Sequence, residues 1–425
     1  MAFDDLNREE LHALKRQLED EYASHVAKGL SLNMARGKPS AEQLALSLPM
    51  LDAVNADSDL FAEDGTDCRN YGVMDGIPEA KALMGALMDQ DPRTVCVFGN
   101  SSLNIMYDLV NHGFVHGYLG EAPWCKLDSV KWLCPVPGYD RHFGITESFG
   151  IEMIPIPMDE EGPDMDLVER LVADDAAIKG IWCVPQYSNP GGITYSVETV
   201  QRLARMACAA PDFRIFWDNA YCVHHLREPH DHVADIAAAC DKAGNPHRYL
   251  KFASTSKITF PGAGIAAVAA SDENIREIKK RIGVQTVGYD KLNQLRHVRF
   301  FKDLHAVEEH MRKHAAIIAP KFDLVQTMLE DGLGDTGCAS WTNPAGGYFI
   351  SFTGLENTAK RTVQLAKGAG VTMTGAGATW PYGIDPHDNN IRIAPTLPPL
   401  SELEQAMEVF ICCAKLAAVE SLLSR

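Results

Sequence analysis

Long apolar segments are missing from this chain. No apolar run approaches the ~20 residues that a membrane-spanning helix needs. The first five residues include two aspartates and are not followed by the apolar core of a signal peptide. The sequence therefore predicts a protein that neither crosses a membrane nor is exported, and we expect it in the cytoplasm.

Paired cysteines and an excess of positive charge are missing as well. The 11 cysteines are odd in number and scattered, and no Cys-x-x-Cys pair occurs, which is typical of reduced thiols and not of a disulfide framework. Lysine and arginine total 39 against 57 aspartates and glutamates, so the net charge is −18. Such a chain repels nucleic acid and anionic membranes, and we expect neither as a partner. An anionic ligand would need a local cationic pocket.

Internal repeats and low-complexity linkers are also missing, and 425 residues suffice for two or three domains. Apolar spacing predicts an amphipathic helix over 5–29 and a long helix over 298–334. Between them, helices predicted at 78–90, 102–116 and 197–209 alternate with apolar runs at 94–98, 131–134, 180–184, 214–217 and 265–269. This alternation is typical of a buried, mostly parallel sheet, so the fold class indicated is α/β. Two more strands and a helix over 400–424 predict a smaller α+β domain.

A lysine flanked by hydroxyls follows an apolar run at Ser254-Thr255-Ser256-Lys257. Lys257 could be an ordinary solvated lysine at the end of a strand. It could also form an imine with an aldehyde cofactor, because a desolvated ε-amine shifts its pKa easily. In that case the serines would donate hydrogen bonds to a phosphate.

Residues upstream of this lysine could serve a pyridine cofactor. The nitrogen of such a ring needs a carboxylate partner if the ring is to act as an electron sink. Asp218 ends an apolar run and could be that partner, or a helix N-cap. Asn189 and the Tyr221 hydroxyl could contact the ring's 3-oxygen, although Asn-Pro-Gly-Gly around Asn189 is by itself more typical of a plain turn.

A phosphate could bind at Gly99-Asn100-Ser101-Ser102, which follows a predicted strand and opens a predicted helix. A helix N-terminus favours anions, and its N–H groups serve equally for capping, so the two interpretations do not exclude each other. Tyr139, in Pro-Val-Pro-Gly-Tyr, could stack on the ring or be a core tyrosine.

Two other patterns are rejected as sites. Residues 262–267 mimic a dinucleotide-binding Gly-x-Gly-x-x-Ala, but they precede a strand-like run instead of opening a helix after a strand. His310 and His314 have the spacing of metal ligands on a helix, but their charged segment lacks the His-Glu-x-x-His order. We interpret that segment as a solvated helix face and predict no metal site.

The order of the motifs resembles that of the fold-type I aminotransferases, in particular the aspartate aminotransferase family. The chain runs Gly-Asn-Ser-Ser, Pro-x-Pro-Gly-Tyr, Asn-Pro-Gly-Gly, Asp-x-Ala-Tyr, Ser-x-Ser-Lys and then a strand-like segment bearing Arg392. The resemblance covers nearly the whole chain. Residues 33–40 and 290–297 are similar to the branch related to the aminotransferase domain of MocR-type regulators, although we expect no winged-helix DNA-binding domain here.

This resemblance implies a pyridoxal 5′-phosphate (PLP) enzyme with specific residue roles. Lys257 would bind PLP and carry protons, Asp218 would pair with the ring nitrogen, and Arg392 would grip the substrate α-carboxylate. The other implied contacts are Asn189 and Tyr221 with the 3-oxygen, Tyr139 with the ring face, Asn100, Ser101, Ser102 and Ser254 with the phosphate, Tyr71 with the partner subunit's phosphate across a homodimer, and Gly37, Arg36 and Asn189 with the substrate.

The implied architecture is a large domain over 56–318 with a mostly parallel seven-stranded sheet, and a small domain built from 1–55 and 319–425. The implied activity is ping-pong transamination between an amino acid, aspartate or glutamate, and a 2-oxo acid. Since fold does not fix reaction type, a β-lyase or decarboxylase on the same scaffold stays open. A PLP-binding regulatory module without turnover is the alternative outside catalysis.

Two parts of the implied site lack an assigned residue. The family often has an arginine after the lysine, in Pro-Gly-x-Arg, where this chain has Gly264, so other donors must balance the phosphate. The distal carboxylate of a dicarboxylic substrate needs a second basic group. The candidates, each of which could also be a surface charge, are Lys291, Arg296 and Arg299 after the lysine strand, and Arg36 and Lys38 in the N-terminal loop.

Overall fold

The structure, a computed structural model, describes residues 2–425, over which the chain forms thirteen α-helices and thirteen strands. The strands are β1 (Leu32–Asn33), β2 (Val95–Val97), β3 (Lys131–Val136), β4 (Glu152–Asp159), β5 (Gly162–Pro163), β6 (Ile178–Cys183), β7 (Arg214–Asp218), β8 (Tyr249–Ser254), β9 (Ala266–Ala269), β10 (Ala339–Trp341), β11 (Ile350–Gly354), β12 (Val371–Thr372) and β13 (Asn390–Ile393). The helices are α1 (Arg8–Ala27), α2 (Ala41–Ala45), α3 (Pro78–Met88), α4 (Ser102–His116), α5 (Asp140–Ser148), α6 (Met165–Asp174), α7 (Val197–Arg205), α8 (Ile236–Lys242), α9 (Asp272–Gln285), α10 (Lys291–Phe301), α11 (Leu304–Leu333), α12 (Ala359–Gly368) and α13 (Leu400–Ser424).

The central sheet has the strand order β2-β9-β8-β7-β6-β3-β4-β5. Five neighbouring strands, β8 to β4 in this order, pair in parallel, whereas β9 runs antiparallel to both of its neighbours. The seven strands of the expected sheet are present, and the two-residue β5 adds an eighth at one edge. The α/β fold with a mostly parallel sheet is therefore confirmed.

Apolar residues on both faces explain why these strands are buried. Every residue of β6, β7 and β9 is buried, and the helices cover the two faces of the sheet. One face packs against α4 and α9, and the other packs against α6, α7 and α8. Parallel strands end at one common edge, so the segments that follow β3, β6, β7 and β8 meet there.

A second, smaller assembly contains the antiparallel sheet β10-β11-β13 and the helices α11, α12 and α13. The N-terminal helix α1 packs against α13, and β1 pairs in parallel with β12. Leu18, Phe322 and Phe410 belong to one hydrophobic core that joins both ends of the chain. This arrangement is compatible with the proposed domain limits at 55/56 and 318/319, which stay a prediction because α11 passes through 318/319 unbroken.

The predicted long helix over 298–334 is wrong in one respect. α10 ends at Phe301 and α11 begins at Leu304. The first of the two residues between them, Lys302, has φ +64, a left-handed conformation that ends a helix. The Asp303 side chain then accepts a hydrogen bond from the Ala306 N–H and caps α11.

The structure also bears on membrane-spanning helices and on disulfide bonds. Among the helices of residues 2–425, none combines the length and the apolar character that spanning a bilayer requires. All eleven cysteines are free thiols, and most are buried.

Candidate active site

Two adjoining cavities lie at the edge of the sheet where the parallel strands end. The inner pocket, about 130 Å³, and the outer pocket, about 420 Å³, share four lining residues: Tyr139, Asn189, Tyr221 and Lys257. The inner pocket is further lined by Ser101, Ser102, Asp218, Ser254 and Ser256. The outer pocket is further lined by Arg36, Gly37, Lys38, Asp140, Arg141, Phe349, Thr374 and Arg392. Most of the predicted site residues are therefore brought together, although their roles stay predictions.

Lys257 follows β8 and is partly buried between the two pockets. Its Nζ lies 4.8 Å from the centroid of the Tyr221 ring. Burial lowers the pKa of the amine below the usual lysine value, and the nearby Asp218 carboxylate offsets part of this effect. The interpretation as a solvated surface lysine is wrong, and the amine is more easily deprotonated than an exposed one.

Asp218 is the last residue of β7 and is buried. Its Oδ2 lies 3.0 Å from His142 Nε2, whereas its Oδ1 is buried without a partner among the described residues. The chain after Asp218 forms a turn, so the N-cap interpretation is wrong. Asp218 lines the inner pocket, and a buried oxygen without a partner is suited to accept a hydrogen bond from a donor on a bound molecule.

His142 is a site residue that sequence reasoning missed. Its ring is stacked on the indole of Trp182, with 4.6 Å between centroids and 14° between planes. It also meets the edge of the Tyr139 ring. The signal available in the sequence was its position three residues after Tyr139, the N-cap residue of α5. Because His142 is held by Trp182, it fixes the orientation of the Asp218 carboxylate.

Tyr139, Tyr221 and Asn189 form the wall between the two pockets. Burial raises the pKa of Tyr139 to about 12 and that of Tyr221 well above its usual value, so both phenols stay protonated donors. Asn189 lies in a turn, as the Asn-Pro-Gly-Gly pattern predicts, and it also accepts a hydrogen bond from Arg392 Nη1 at 3.2 Å. The turn interpretation is therefore confirmed, and the binding role of Asn189 stays a prediction.

The far end of the inner pocket is built from hydroxyls at the N-terminus of α4. Ser101 is the N-cap residue, but within the described chain its side chain makes no capping hydrogen bond, which leaves the hydroxyl for a ligand. Ser254 Oγ donates to Ser256 Oγ at 3.2 Å, and Ser256 Oγ donates to the Asn100 carbonyl at 3.0 Å. These hydroxyls suit an anionic group.

Two positions expected near the phosphate, Asn100 and Gly264, place no side chain in the inner pocket. The Asn100 amide donates to the Pro261 carbonyl at 3.1 Å, so its predicted phosphate contact stays a prediction without support from the side chain. A Cβ on Gly264 would lie 2.8 Å from Thr255 Oγ1, which explains why no arginine fits there. Among the described residues that line the inner pocket, Lys257 is the one cation.

Arg392, on β13, is buried at the wall of the outer pocket. Its Nη1 donates to Asp140 Oδ1 at 3.0 Å, and its Nη2 donates to Thr374 Oγ1 at 3.4 Å. The guanidinium carbon lies 4.9 Å from the centroid of the Phe349 ring. A Cβ on Gly37 would lie 2.5 Å from this ring, so glycine lets the N-terminal loop approach the arginine closely.

The basic residues predicted to bind a distal carboxylate fall into two groups, those that line the outer pocket and those that do not. Arg36 and Lys38 line the outer pocket, together with Arg141, which the sequence reasoning missed although it lies two residues after Tyr139. The remaining three point elsewhere within their own chain: Lys291 donates to the Gly72 carbonyl, Arg296 to Asn293 Oδ1 and Arg299 to the Asp59 carbonyl.

Tyr71 also lies outside the pockets of its own chain, with 83% of its surface exposed. Its predicted contact is with a partner subunit, so this position in the single chain leaves the contact a prediction.

The interpretation of His310 and His314 as a solvated face is wrong. Both histidines are buried, with 3.1 Å between their Nε2 atoms. His310 Nε2 lies 3.0 Å from the carbonyl oxygen of Ile258, the residue after Lys257. Burial lowers the pKa of His314 to about 3, so it is neutral at physiological pH. The pair supports the backbone of the lysine loop.

Comparisons with known proteins agree with this geometry. A sequence profile of the family described as "Aspartate amino-transferase" matches residues 6–425. An aspartate aminotransferase of Corynebacterium glutamicum is 45% identical over 421 residues, which cover 99% of this chain and 97% of that protein. The crystal structure of an aspartate transaminase from Corynebacterium glutamicum ATCC 13032 superposes with a TM-score of 0.96, covering 99% of both chains at 45% identity.

More distant matches carry less weight. The crystal structure of LysN, an α-aminoadipate aminotransferase from Thermus thermophilus complexed with N-(5′-phosphopyridoxyl)-L-leucine, has a TM-score of 0.74 at 18% identity and covers 95% of both chains. It shows the shared fold. A helix-turn-helix transcriptional regulator of Bacillus subtilis is 26% identical over 287 residues, or 67% of this chain and 55% of the regulator. The link to such regulators is therefore weak.

Proposed function

The chain belongs to the aspartate aminotransferase family, and from that membership we propose that it moves an amino group between a dicarboxylic amino acid and a 2-oxo acid, with PLP as cofactor. The observation that carries the proposal is the arrangement of Lys257, Asp218 and Arg392 around the two joined pockets.

The inner pocket contains an unpaired polar atom that PLP would satisfy. Asp218 Oδ1 is a buried carboxylate oxygen without a donor among the described residues, and leaving such a group unpaired costs free energy. The protonated ring nitrogen of PLP would supply that donor. The hydroxyls of Ser101, Ser102 and Ser254 lie at the pocket wall and would hold the phosphate. When bound, PLP supplies a ring that accepts the electron pair released as the substrate Cα loses its proton.

The chain's own residues then have separable tasks. The Lys257 amine, whose pKa is lowered by burial, accepts the proton from the substrate Cα. The same amine later gives up that proton as the product forms. Asp218, which His142 contacts at 3.0 Å, would keep a proton on the ring nitrogen. Asn189 and Tyr221 would donate hydrogen bonds to the 3-oxygen. Arg392 orients the substrate through its α-carboxylate.

Replacing Arg392 with alanine is expected to weaken amino acid and 2-oxo acid binding together. Loss of a hydrogen-bonded charge partner in a buried site costs roughly 2–5 kcal/mol, or about 30- to 5,000-fold in affinity. The measurement is KM for both substrates by steady-state kinetics. An effect on only one of the two would make Arg392 a structural residue instead of the carboxylate site.

The dicarboxylate preference is supported by the charge of the outer pocket. Besides Lys257, which is assigned to the cofactor, four cationic side chains line it, namely Arg36, Lys38, Arg141 and Arg392, in a chain whose net charge is −18. A concentrated positive field of this kind favours a dianion over a monoanion. Arg392 takes one carboxylate, which leaves Arg36, Lys38 and Arg141 for the other.

We expect aspartate or glutamate to exceed alanine, leucine and phenylalanine in kcat/KM with 2-oxoglutarate as acceptor. At least one of Arg36→Ala, Lys38→Ala and Arg141→Ala should reduce that preference by about 10- to 150-fold, the equivalent of roughly 1.5–3 kcal/mol for a charge-assisted hydrogen bond. Arg93→Ala, a remote exposed arginine paired with Asp91, is the matched control. Equal efficiency for neutral donors would refute the substrate class. A preference retained in all three variants would refute only the location of the distal-carboxylate site.

The single chain leaves an apolar surface that a second copy would cover. Tyr71, Met74, Val284, Val287 and Leu292 are exposed, and the Gly72 N–H donates to the Val287 carbonyl, which ties their two segments together. Exposed apolar patches mark interaction sites. In a homodimer, Tyr71 would contact the phosphate in the partner's site.

A homodimer predicts that Val284→Asp produces monomers and reduces PLP retention, because a buried unpaired charge opposes association. Analytical ultracentrifugation and the PLP content after gel filtration are the measurements. Val197→Asp, at another exposed valine, on α7, should behave as the unmodified protein. A monomeric parent protein would contradict the proposal.

A further inference from the structure

The guanidinium of Arg392 already has an acidic partner in the outer pocket. Asp140 Oδ1 accepts a hydrogen bond from Nη1 at 3.0 Å, and Nη1 also contacts Asn189 Oδ1. Nη2 contacts Thr374 Oγ1, while Nε has no partner among residues 2–425. A guanidinium typically binds a carboxylate through two of its nitrogens. In Arg392 one terminal nitrogen, Nη1, is already bonded to the Asp140 carboxylate when a substrate arrives.

This carboxylate is unusual for its surroundings. Among the described residues that line the outer pocket, Asp140 is the one acidic side chain, against four cations besides Lys257. It opens α5, where the positive helix end favours a carboxylate, but its shorter ion pair, at 3.0 Å, is with Arg392 on β13, whereas Arg141 of its own helix lies 4.0 Å away. An anion at this place repels the anions that the pocket is proposed to bind.

We propose that Asp140 is a specificity-determining counterion, which neutralises Arg392 when no substrate is bound and is displaced by the substrate α-carboxylate. The inference rests on the proposed function, in which Arg392 binds that carboxylate. It adds that affinity is set by competition between two carboxylates for Nη1. Asp140 would then also select between ligands. A monoanion that makes no other contact in the pocket displaces Asp140 from Arg392 less readily than an amino or 2-oxo acid does.

The competition has a definite sign. If the pair is closed in about nine-tenths of the molecules, the apparent affinity for substrate is about tenfold weaker than the intrinsic affinity. Asp140→Asn keeps the size of the side chain but removes its charge. We therefore expect KM for aspartate and for 2-oxoglutarate to fall by about tenfold, with a smaller change in kcat. Inorganic phosphate should inhibit Asp140→Asn at lower concentrations than it inhibits the unmodified protein.

A second readout does not depend on turnover. Succinate has two carboxylates but neither an amino nor an oxo group, so it binds without reacting. A ligand stabilises the folded state in proportion to the logarithm of its concentration over Kd. Succinate should therefore raise the melting temperature of PLP-loaded Asp140→Asn more than that of the unmodified protein. Glu147→Gln removes the same charge from the exposed side of α5 and should change neither readout.

Each outcome decides the matter. A lower KM with a larger succinate shift supports the competition. An unchanged or higher KM overturns it, and Asp140→Ser, which is also uncharged but shorter, repeats the measurement if Asp140→Asn does not fold. If Arg392→Ala leaves KM unchanged, the proposed function of Arg392 fails instead. If Arg392→Ala weakens both substrates and Asp140→Asn does not tighten them, only this inference fails.

Discussion

Replacing Lys257 with alanine is expected to lower turnover by at least about 10⁴-fold, because a positioned general base contributes roughly 10²–10⁴-fold and the covalent hold on the cofactor is lost with it. Lys257→Arg should be almost as inactive, since a guanidinium does not give up its proton in proteins. The measurement is kcat with aspartate and 2-oxoglutarate at saturating PLP, with added PLP ruling out simple loss of cofactor.

The control is another buried lysine outside the pockets. Lys251 lies on β8, and its Nζ is 2.9 Å from Asp235 Oδ1. Lys251→Met breaks this pair and should lower the melting temperature while the folded protein keeps its turnover. If Lys257→Ala retained more than a few per cent of the activity, the proton would be carried by a different group.

Replacing Asp218 with asparagine is expected to lower turnover by roughly 10²–10³-fold, the cost of removing one preorganised charge contact from a transition state. Asparagine keeps the shape and a contact with His142, but it cannot hold a positive charge on the ring nitrogen. PLP should still attach to the protein, so the loss should fall on kcat and not on PLP binding alone.

A second buried aspartate provides the comparison. Asp212 receives hydrogen bonds from Trp124 Nε1 at 2.6 Å and from Lys179 Nζ at 2.7 Å, away from the pockets. Asp212→Asn should lower the melting temperature and spare turnover. Near-normal turnover in Asp218→Asn would show that another group stabilises the ring.

Local sequence patterns predicted the elements on which the site is built. The helix predicted over 102–116 matches α4. The apolar run predicted as a strand over 214–217 matches β7, which extends one residue further, to Asp218. Apolar runs and turn residues determine these limits locally, so a single sequence contains the signal. The family resemblance added the roles of the residues, which the order of the motifs supports and mutation must test.

Contacts between distant segments were not predictable in the same way. Asp140 and Arg392 are separated by 252 positions, and His142 depends on stacking with Trp182. His310 and His314 were misjudged because their charged neighbours are exposed, while the histidines face the other side of α11 and contact Gln43 and Ile258. A helix in a charged window can still bury one face, and only the packing partners reveal which one.

The most direct test of the role of Lys257 is to locate the cofactor. PLP-saturated protein is reduced with borohydride, digested and analysed by peptide mass spectrometry. The expected result is one pyridoxyl group per chain, on the peptide that contains Lys257. A pyridoxyl group on a different lysine, or none on protein saturated with PLP, would contradict it.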